Sequence, residues 1–319
     1  MKVVRNITSL PIELRQAAIA IGNFDGLHKG HLAVLRLMMA RAEALKVKKA
    51  VLTFEPHPKA YFDKENAPKR LMRVSDKLRG LRDLGVEIVY VLRFNQALAE
   101  LPAEQFIHAV LAETLAIKDV STGEDFVFGK GRLGNVGLIK AGAEFSGKYS
   151  ANAVAPVLID KKPVSSSRIR SLLAEGKVEE LTALLGREYR LKGRVIAGDK
   201  RARTLGYPTA NIALPPYHAT PAYGVYIVEV QRSADAAFEY GVANIGVRPT
   251  FGNSNRPLLE VHLLDKSIDL YGAQIEVKFI KRLREEKRFD SLAALAAQIA
   301  RDAFATRQFF LARDADPDA

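Results

Sequence analysis

Hydrophobic and polar residues follow two different patterns along the chain, and the first pattern covers its amino-terminal half. Residues 18–21 form an apolar run that ends at Gly22, as expected for a buried strand entering a glycine-containing loop. From residue 32 to residue 45 apolar side chains recur at helical spacing, which predicts a helix after that loop. Further predicted strands cover residues 49–54 and 86–92, and further predicted helices cover residues 74–83 and 103–115. Alternating strands and helices predict a doubly wound parallel sheet, with its ligand site at the carboxyl ends of the strands.

Short β-branched runs replace this pattern from about residue 187. Predicted strands cover residues 194–196, 226–230, 240–242, 258–264 and 275–279, and turn-forming residues separate them. Their spacing predicts a small antiparallel barrel, and the amphipathic segment 292–311 predicts a helix that closes it. Residues 168–185 predict two short helices broken at Gly176. We therefore expect two domains, residues 1–186 and residues 187–319.

The composition narrows the class of protein. The chain has 319 residues, of which 48% are hydrophobic, enough for two ordinary cores. Its formal net charge of +12 is spread along the chain, which favours sites for small polyanions over a nucleic-acid-binding face. The absence of cysteine excludes disulfides, thiolate metal sites and cysteine nucleophiles. We find neither a secretory signal nor a long apolar stretch, and we expect a cytoplasmic protein without a transmembrane helix.

The clearest chemical motif lies where the first predicted strand turns into the first predicted helix. Residues 22–31 read GNFDGLHKGH, which places His28 and His31 at the start of that helix. A helix N-terminus offers unpaired N–H groups and a positive dipole end, so two histidines there can bracket a phosphate. Gly30 leaves room for a phosphate to approach the backbone. The alternative is that both histidines are ordinary polar residues at a helix start.

Seven motifs, taken in order, resemble one protein family. They are GNFDGLHKGH at 22–31, TFEPHP at 53–58, GEDFVFG at 123–129, VSSSRIRSLL at 164–173, LGYPTAN at 205–211, NIGVRPTFG at 244–252 and EVHLLD at 260–265. Over nearly the whole chain they resemble the prokaryotic bifunctional riboflavin kinase/FMN adenylyltransferases, or FAD synthetases, of the HxGH nucleotidylyltransferase superfamily. The resemblance implies an α/β fold plus a β fold: a Rossmann-like adenylyltransferase domain, then a small antiparallel β-barrel kinase domain with a C-terminal helix. It also implies phosphorylation of riboflavin by ATP to FMN, followed by transfer of AMP from ATP to FMN, giving FAD and pyrophosphate.

The resemblance assigns roles to residues of the first domain. His28 and His31 would be catalytic, as hydrogen-bond donors to the phosphates of ATP rather than as nucleophiles. The residues implied in ATP binding are Gly22, Phe24, Asp25, Gly30, Ser165, Ser166, Arg168 and Arg170. The residues implied in flavin binding are Phe54, His57, Phe62, Asp125 and Phe128. From the residues alone, a capped helix start remains the alternative for 165–170, and ordinary core positions remain the alternative for the phenylalanines.

In the second domain the resemblance points to residues 198–211 and to one glutamate. Thr209 and Asn211 would hold Mg²⁺ through side-chain oxygens, and Gly206 would contact ATP. Glu260 would accept the proton of the terminal ribityl hydroxyl of riboflavin, although an ordinary solvated carboxylate is the alternative. The sequence departs from the family pattern at Ala202, Glu188, Ser167 and Lys266. Neither Ala202 nor Lys266 removes a proposed phosphate or metal ligand.

The expected partners are the small molecules riboflavin, FMN and ATP, with Mg²⁺ and without nucleic acid or a membrane, while the oligomeric state stays open. The residues leave two other functions possible. A monofunctional adenylyltransferase for another phosphate monoester would use the barrel only for binding, but it leaves the sequence PTAN at 208–211 and Glu260 unexplained. A basic nucleic-acid-binding or ligand-sensing regulator would suit the net charge, but no helix-turn-helix pattern or stripe of interleaved aromatic and basic residues supports it.

Overall fold

The structure is a computed structural model that describes residues 1–197, 207–232, 236–247, 257–266, 268 and 270–315. The chain divides into two compact units, Met1–Ser166 and Ser167–Ala319. The first is built on a parallel sheet with helices and the second on a closed antiparallel barrel, so the predicted fold class is confirmed. Across the described ranges, no helix is long and apolar enough to cross a membrane.

The first unit contains a six-stranded sheet in which every neighbouring pair of strands is parallel. The strands of this unit are β1 (Lys2–Val4), β2 (Ala18–Ile21), β3 (Lys49–Glu55), β4 (Ile88–Arg93), β5 (Asp119–Gly123), β6 (Val127–Phe128), β7 (Gly134–Asn135), β8 (Ser150–Val154), β9 (Leu158–Ile159) and β10 (Lys162–Pro163). Its helices are α1 (Lys29–Leu45), α2 (Pro58–Phe62), α3 (Val74–Asp83), α4 (Gln96–Ala99), α5 (Ala103–Gln105) and α6 (Val136–Ser146). The strand order in the sheet is β1-β4-β3-β2-β5-β8, while β6 pairs with β7 and β9 pairs with β10.

The elements predicted from apolar patterning lie close to those observed. β2 and α3 have the predicted bounds. β3 ends one residue later than predicted, and β4 begins two residues later and ends one residue later. The segment predicted as a helix at 103–115 is the short α5 followed by a π-helix from Phe106 to Thr114. The strands β1, β5 and β8 are not among the predicted elements. They join the sheet on both sides of the predicted strands, so the sheet is wider than the patterning indicates.

A buried carboxylate joins α1 to two of the unpredicted strands. Asp119 begins β5 and is completely buried. Its Oδ1 accepts hydrogen bonds from Arg41 Nε of α1 at 3.0 Å, from Asn152 Nδ2 of β8 at 2.7 Å and from Ser150 Oγ at 2.5 Å. A buried charge is tolerated when it is paired and hydrogen-bonded in this way. Through Arg41, the cluster fixes the carboxyl-terminal half of α1 against the sheet.

The second unit is a closed six-stranded barrel in which every neighbouring pair is antiparallel. Its strands are β11 (Tyr189–Ile196), β12 (Ala210–Ala213), β13 (Gly224–Gln231), β14 (Glu239–Val247), β15 (Pro257–Leu263) and β16 (Gln274–Arg284). The helices are α7 (Ser166–Glu175), which begins at the last residue of the first unit, α8 (Val178–Leu185) and α9 (Leu292–Ala315). The strand order is β11-β12-β15-β14-β13-β16, with β16 closing back onto β11.

The helix α8 packs on the barrel, against β11 and β16. Its side chains Leu181, Leu184 and Leu185 are buried. The compact units divide at Ser166, so α8 belongs to the barrel unit. The predicted domain boundary between residues 186 and 187 stays a prediction.

Two fragments test this boundary. We expect residues 187–319 to fold as a barrel, because the six strands contain a core of their own. A fragment of residues 167–319 keeps the leucines of α8 buried, and its free energy of unfolding should be higher by about 3 kcal/mol or more. Chemical unfolding followed by circular dichroism measures the difference. Aggregation of the shorter fragment beside cooperative unfolding of the longer one would place the boundary before residue 187.

Candidate functional sites

The carboxyl ends of the parallel strands bring many of the predicted first-domain residues to one edge of the sheet. Gly22 follows β2, Phe54 lies near the end of β3, and Asp125 follows β5. A narrow cleft here is lined by Asn23, Asp25, Phe54, Glu55, His57, Arg70, Met72 and Lys77. It combines Asp25, which the resemblance assigns to ATP binding, with Phe54 and His57, which it assigns to flavin binding. This edge is where parallel sheets commonly bind their ligands.

The loop between β2 and α1 has an unusual backbone. Phe24 and Leu27 adopt the left-handed region, with φ of 51° and 44°, and Gly26 between them has φ of 94°. A bulky residue in a sparsely populated region costs about 1–3 kcal/mol and persists only when its surroundings hold it there. Both Phe24 and Leu27 are almost fully buried, so core packing supplies part of that support. The loop delivers the chain into α1 at His28.

His28 caps α1. Its Nδ1 accepts a hydrogen bond from the backbone N–H of His31 at 3.3 Å. An accepting Nδ1 carries no proton, so the neutral ring holds its proton on Nε2, from which it can be donated. The two imidazole rings stack with centroids 3.6 Å apart, and the Phe24 ring lies 5.3 Å from that of His31. The structure therefore brings both predicted catalytic histidines together at a helix N-terminus.

Gly30 has less open space beside it than the sequence suggests. A Cβ at this position would lie 3.2 Å from the His28 ring and 3.3 Å from the carbonyl oxygen of Val164. The missing side chain therefore lets the segment before α7 pack against the loop of residues 22–28 between β2 and α1, called here the histidine loop. Approach of a phosphate to the Gly30 backbone stays a prediction.

Asp25 and Ser166 connect the histidine loop to neighbouring segments. Ser166 Oγ donates to the backbone oxygen of Asp25 at 2.8 Å. The buried Asp25 carboxylate accepts the backbone N–H of Leu71 at 3.0 Å and that of Met72 at 3.2 Å. Asp25 thus ties the loop to residues 71–72, and its predicted role in ATP binding stays a prediction. The other predicted members of this group lie just before or within α7: Ser165, Arg168 and Arg170.

A buried lysine that is not among the predicted site residues lies at the same edge. Lys77 Nζ donates to the backbone oxygen of Asn23 at 3.1 Å, to Thr53 Oγ1 at 3.2 Å and to Glu55 Oε1 at 3.2 Å. Arg70 Nη2 donates to the other Glu55 oxygen at 2.7 Å. Burial lowers the pKa of the Lys77 ammonium, while the charge of Glu55 opposes that shift.

The sequence did contain a signal for this lysine. Lys77 lies three residues after Val74 and four residues before Leu81, which places it on the apolar face of the predicted helix 74–83. A charged residue on such a face needs a buried partner. What the spacing cannot give is the partner, because Asn23, Thr53 and Glu55 come from other strands and loops.

Two aromatic clusters contain the phenylalanines predicted to bind the flavin. In the first, Phe94 contacts Phe54, Tyr61 and Phe62 with ring centroids 6.2, 5.4 and 5.8 Å apart. Phe62 is 69% exposed, whereas Phe54 is buried. His57 caps α2, the helix that carries Tyr61 and Phe62. Phe94 is not among the predicted residues, and its signal was its place two residues after a predicted strand.

The second cluster surrounds Phe128. Its ring stacks on Phe126 with centroids 5.5 Å apart, and Phe106, where the π-helix begins, lies 5.4 Å away. Asp125 lies in the exposed turn between β5 and β6. Phe54 and Phe128 belong to the same hydrophobic core cluster. The two aromatic groups therefore share a core, while Phe62 alone of the predicted phenylalanines is largely open to solvent.

In the barrel, three polar side chains line up across neighbouring strands. Glu260 of β15 lies opposite Asn211 of β12 on one side and opposite Asn244 of β14 on the other. The residues before and after each of them are largely or fully buried in sequence order: Ala210, Ile212, Ala243, Ile245, Leu259 and Val261. Since side chains alternate along a strand, Glu260 and both asparagines share the face away from the barrel core. Asn244 is a member of this row that was not singled out from the sequence.

The chemistry of this row fits a hard cation. Asn211 is buried, and its Oδ1 has no hydrogen-bond partner among the residues that the structure describes. An amide oxygen is a ligand type that Mg²⁺ accepts. Thr209 is half-buried, and its carbonyl oxygen lies 3.5 Å from Asn211 Nδ2. His262 Nδ1 is 3.0 Å from the carbonyl oxygen of Pro208, which ties this turn to β15.

Three further positions of the barrel half were singled out from the sequence. Gly206 and the departure at Ala202 lie outside the described residues. Lys266, the departure that follows the motif EVHLLD, forms an ion pair with Glu239.

Models of two protein families match the chain. The FAD synthetase family matches residues 10–168, and the riboflavin kinase family matches residues 185–310. A Haemophilus influenzae protein named bifunctional riboflavin kinase/FMN adenylyltransferase is 40% identical over 310 residues, covering 97% of this chain and 99% of that protein. A protein of the same name from Escherichia coli K12 is 40% identical over 312 residues, covering 97% and 98%.

A solved structure is similar over the same extent. It is the crystal structure of a protein from Streptococcus pneumoniae described as a macrolide-efflux protein. It superposes with a TM-score of 0.84 at 30% identity and covers 96% of this chain and 98% of its own. The two-part architecture described above therefore occurs in a protein determined experimentally.

Proposed function

The chain belongs to the bifunctional riboflavin kinase/FMN adenylyltransferase family, and we propose that it carries out both reactions named in that family. The barrel unit transfers the γ-phosphate of ATP to riboflavin, giving FMN. The parallel-sheet unit transfers AMP from a second ATP to FMN, giving FAD and pyrophosphate. The observation that carries this proposal is the 40% identity, over 97% of the chain, to relatives that bear both activities in their name.

Product analysis tests the proposal. The protein is incubated with riboflavin, ATP and Mg²⁺, and samples are chromatographed over time for FMN and FAD. We expect FMN to appear first and FAD to follow. FAD formed from supplied FMN, without FMN formed from riboflavin, would favour a monofunctional adenylyltransferase with a binding barrel.

The adenylyl transfer needs positioning and charge stabilisation. An FMN phosphate oxygen attacks the α-phosphorus of ATP, and the bond from that phosphorus to the bridging oxygen breaks, so pyrophosphate leaves with the negative charge. His28, through its Nε2–H, and His31 donate hydrogen bonds to the phosphates as this charge develops. The N-terminus of α1 adds its positive dipole end. Neither histidine forms a bond to phosphorus.

The remaining ATP contacts are proposed from the motif positions. Ser165 and Ser166 contact the β- and γ-phosphates in this proposal. The hydrogen bond from Ser166 to the Asp25 carbonyl keeps Ser166 beside the histidine loop, and its single hydroxyl proton would leave that carbonyl to be donated to a phosphate. Arg168 and Arg170 supply guanidinium groups to the same phosphates. The loop that receives these phosphates is shaped by Gly22, Phe24, Asp25 and Gly30.

The isoalloxazine ring requires a flat apolar slot. We place it beside the aromatic cluster of Phe54, Phe62 and Phe94, with His57 at the rim. The exposed ring of Phe62 supports this placement, because a largely exposed aromatic side chain gains buried area when a flat ligand covers it. Phe128 and Asp125 complete the predicted set from the neighbouring end of β5.

The kinase reaction needs a base and a charge-stabilising cation. Glu260 accepts the proton of the terminal ribityl hydroxyl, whose oxygen bonds to the γ-phosphorus of ATP while ADP leaves. Asn211 and Thr209 would hold Mg²⁺ through their side-chain oxygens, and the unpartnered Asn211 Oδ1 supports this role. When bound, the ion neutralises charge on the phosphates. Gly206 contacts ATP in the same proposal.

The surroundings of the protein are proposed on the same basis. Its partners are riboflavin, FMN and ATP, which suits a net charge of +12 spread along the chain. A cytoplasmic location and the absence of nucleic-acid and membrane partners stay predictions, and the oligomeric state is open.

Replacement of His31 tests the histidine pair. His31→Ala should lower the rate of FAD formation from FMN by about a hundredfold or more, because it removes a donor to the developing pyrophosphate charge. FMN formation from riboflavin should stay within about twofold of wild type. His108→Ala is the matched control, since His108 lies on the π-helix with a side chain 73% exposed. An unchanged rate of adenylyl transfer in the His31 variant would exclude the assignment.

Replacement of Glu260 tests the base. Glu260→Gln keeps the shape of the side chain and loses its charge, so riboflavin phosphorylation should slow by about 10²–10⁴. FAD formation from supplied FMN is the internal control and should be nearly unchanged. Normal kinase turnover in this variant would reduce Glu260 to a structural or flavin-positioning residue. Equal damage to both reactions would require the two proposed sites to be revised.

The metal contact needs a different measurement. Thr209→Ala removes a proposed metal-facing oxygen, so it should raise the KM for MgATP in the kinase reaction. The dependence of the kinase rate on Mg²⁺ concentration should shift to higher values. An unchanged dependence on Mg²⁺ would remove Thr209 from the metal site.

A further inference from the structure

Helix α3 contacts the histidine loop through two residues on one face of the helix. Lys77 and Gly80 are three residues apart, which places them on neighbouring turns of the same side of the helix. Lys77 Nζ donates to the backbone oxygen of Asn23, the residue before Phe24. At Gly80 an added Cβ would lie 2.5 Å from Leu27 Cδ1. α3 therefore meets the loop beside both of its left-handed residues.

The hydrogen bond at Asn23 lies next to a backbone conformation that is unfavourable for a residue other than glycine. The peptide oxygen of Asn23 precedes the left-handed Phe24, so its direction fixes how the chain enters the turn. If the Asn23 oxygen turned away, the Lys77 ammonium would lose a hydrogen bond, so this contact holds the oxygen in place. From this turn the chain reaches His28 four residues later and starts α1 there.

The chemistry of the pocket explains why a lysine occupies it. An ammonium has three N–H groups, and Lys77 directs them at three acceptors, on Asn23, Thr53 and Glu55. The Glu55 carboxylate offsets part of the cost of burying the charge, and Arg70 in turn holds Glu55. A neutral side chain of similar length would fill the space and remove the ammonium from the Asn23 oxygen, which would keep the 3.3 Å hydrogen bond from Thr53 Oγ1.

We infer that Lys77 is a positioning residue for adenylyl transfer: by holding the Asn23 carbonyl, it keeps the left-handed turn in the form that presents His28 and His31 to ATP. The inference rests on the proposed adenylyltransferase function and adds to it a residue outside the seven motifs. Lys77 touches no reacting atom in this role. The competing explanation is that Lys77 only neutralises the partly buried carboxylate of Glu55, and the two explanations predict different results.

The first variant is Lys77→Met, which keeps an unbranched side chain and removes the ammonium. The histidines stabilise charge that appears in the transition state, and a shift of about 1 Å can cost a hundredfold, so kcat for FAD formation should fall by about 10- to 100-fold. The KM for FMN should change by less than about threefold, because among the described residues the Lys77 ammonium bonds to Asn23, Thr53 and Glu55 and not to a proposed flavin-binding side chain. Kinase turnover should stay at the wild-type level. Lys140→Met, at an exposed lysine on α6, is the matched control and should leave both reactions unchanged.

The second variant separates positioning from neutralisation. Lys77→Met leaves Glu55 without its ammonium partner and can unfold part of the unit, whereas the double variant Lys77→Met/Glu55→Gln removes that charge. If Lys77 positions the turn, the double variant regains thermal stability while kcat for FAD formation stays at least tenfold below that of Glu55→Gln alone. If the double variant matches Glu55→Gln in kcat, neutralisation is the whole role and the inference is overturned. A wild-type kcat in Lys77→Met itself would overturn it as well.

These outcomes are distinct from failure of the proposed function. If the wild-type protein and Lys140→Met both make no FAD from FMN and ATP, adenylyl transfer itself is excluded, and the inference falls with it. If both make FAD, the comparison between the Lys77 variants decides the role of Lys77 alone.

Discussion

The turn at Phe24 and Leu27 is the constraint on which the first unit depends. The chain passes from the end of β2 into α1 through left-handed backbone at both residues, and neither residue is a glycine that would adopt it freely. Burial of both side chains and contacts from three separate segments hold it. Asp25 binds the amides of residues 71–72, Ser166 binds the Asp25 carbonyl, and α3 contacts the loop from below. At the far end of α1 the Arg41 and Asp119 pair fixes the same helix to the sheet.

The two units place their polar groups by different means. The parallel sheet gathers loops at the carboxyl ends of its strands, so its candidate site is assembled from chain segments that are far apart in sequence. The barrel instead uses the alternation of side chains along antiparallel strands. Glu260 meets Asn211 and Asn244 simply because the registers of β12, β15 and β14 align. The first arrangement needs many supporting contacts, whereas the second needs only correct strand pairing.

The sequence predicts those features that depend on local patterning. The helix start at His28 and the alternation around Glu260 were both predictable, because each depends on the nearest residues alone. β5 and β8 were not, since Asp119, Ser150 and Asn152 are polar. Burial of Asp119 depends on hydrogen bonds from Arg41 of α1 and from the half-buried Ser150 and Asn152 of β8. Lys77 and Phe94 depend on the same kind of long-range contact. The π-helix at Phe106–Thr114 has the apolar pattern of an ordinary helix, and its wider turn is not encoded in spacing.

Closure of the barrel has a consequence for association between copies of the chain. Each of its six strands has a neighbour on both sides, so within the described residues no strand of the barrel has a wholly unpaired edge. The sheet of the first unit is open and ends at β1 and β8. β1 is only three residues long, whereas β8 has five, and its side chains Ser150–Val154 carry no charge that would repel an incoming strand. Edge-to-edge aggregation of a partly folded chain would therefore begin at β8 of the parallel-sheet unit. The strands of the folded barrel would not take part in it.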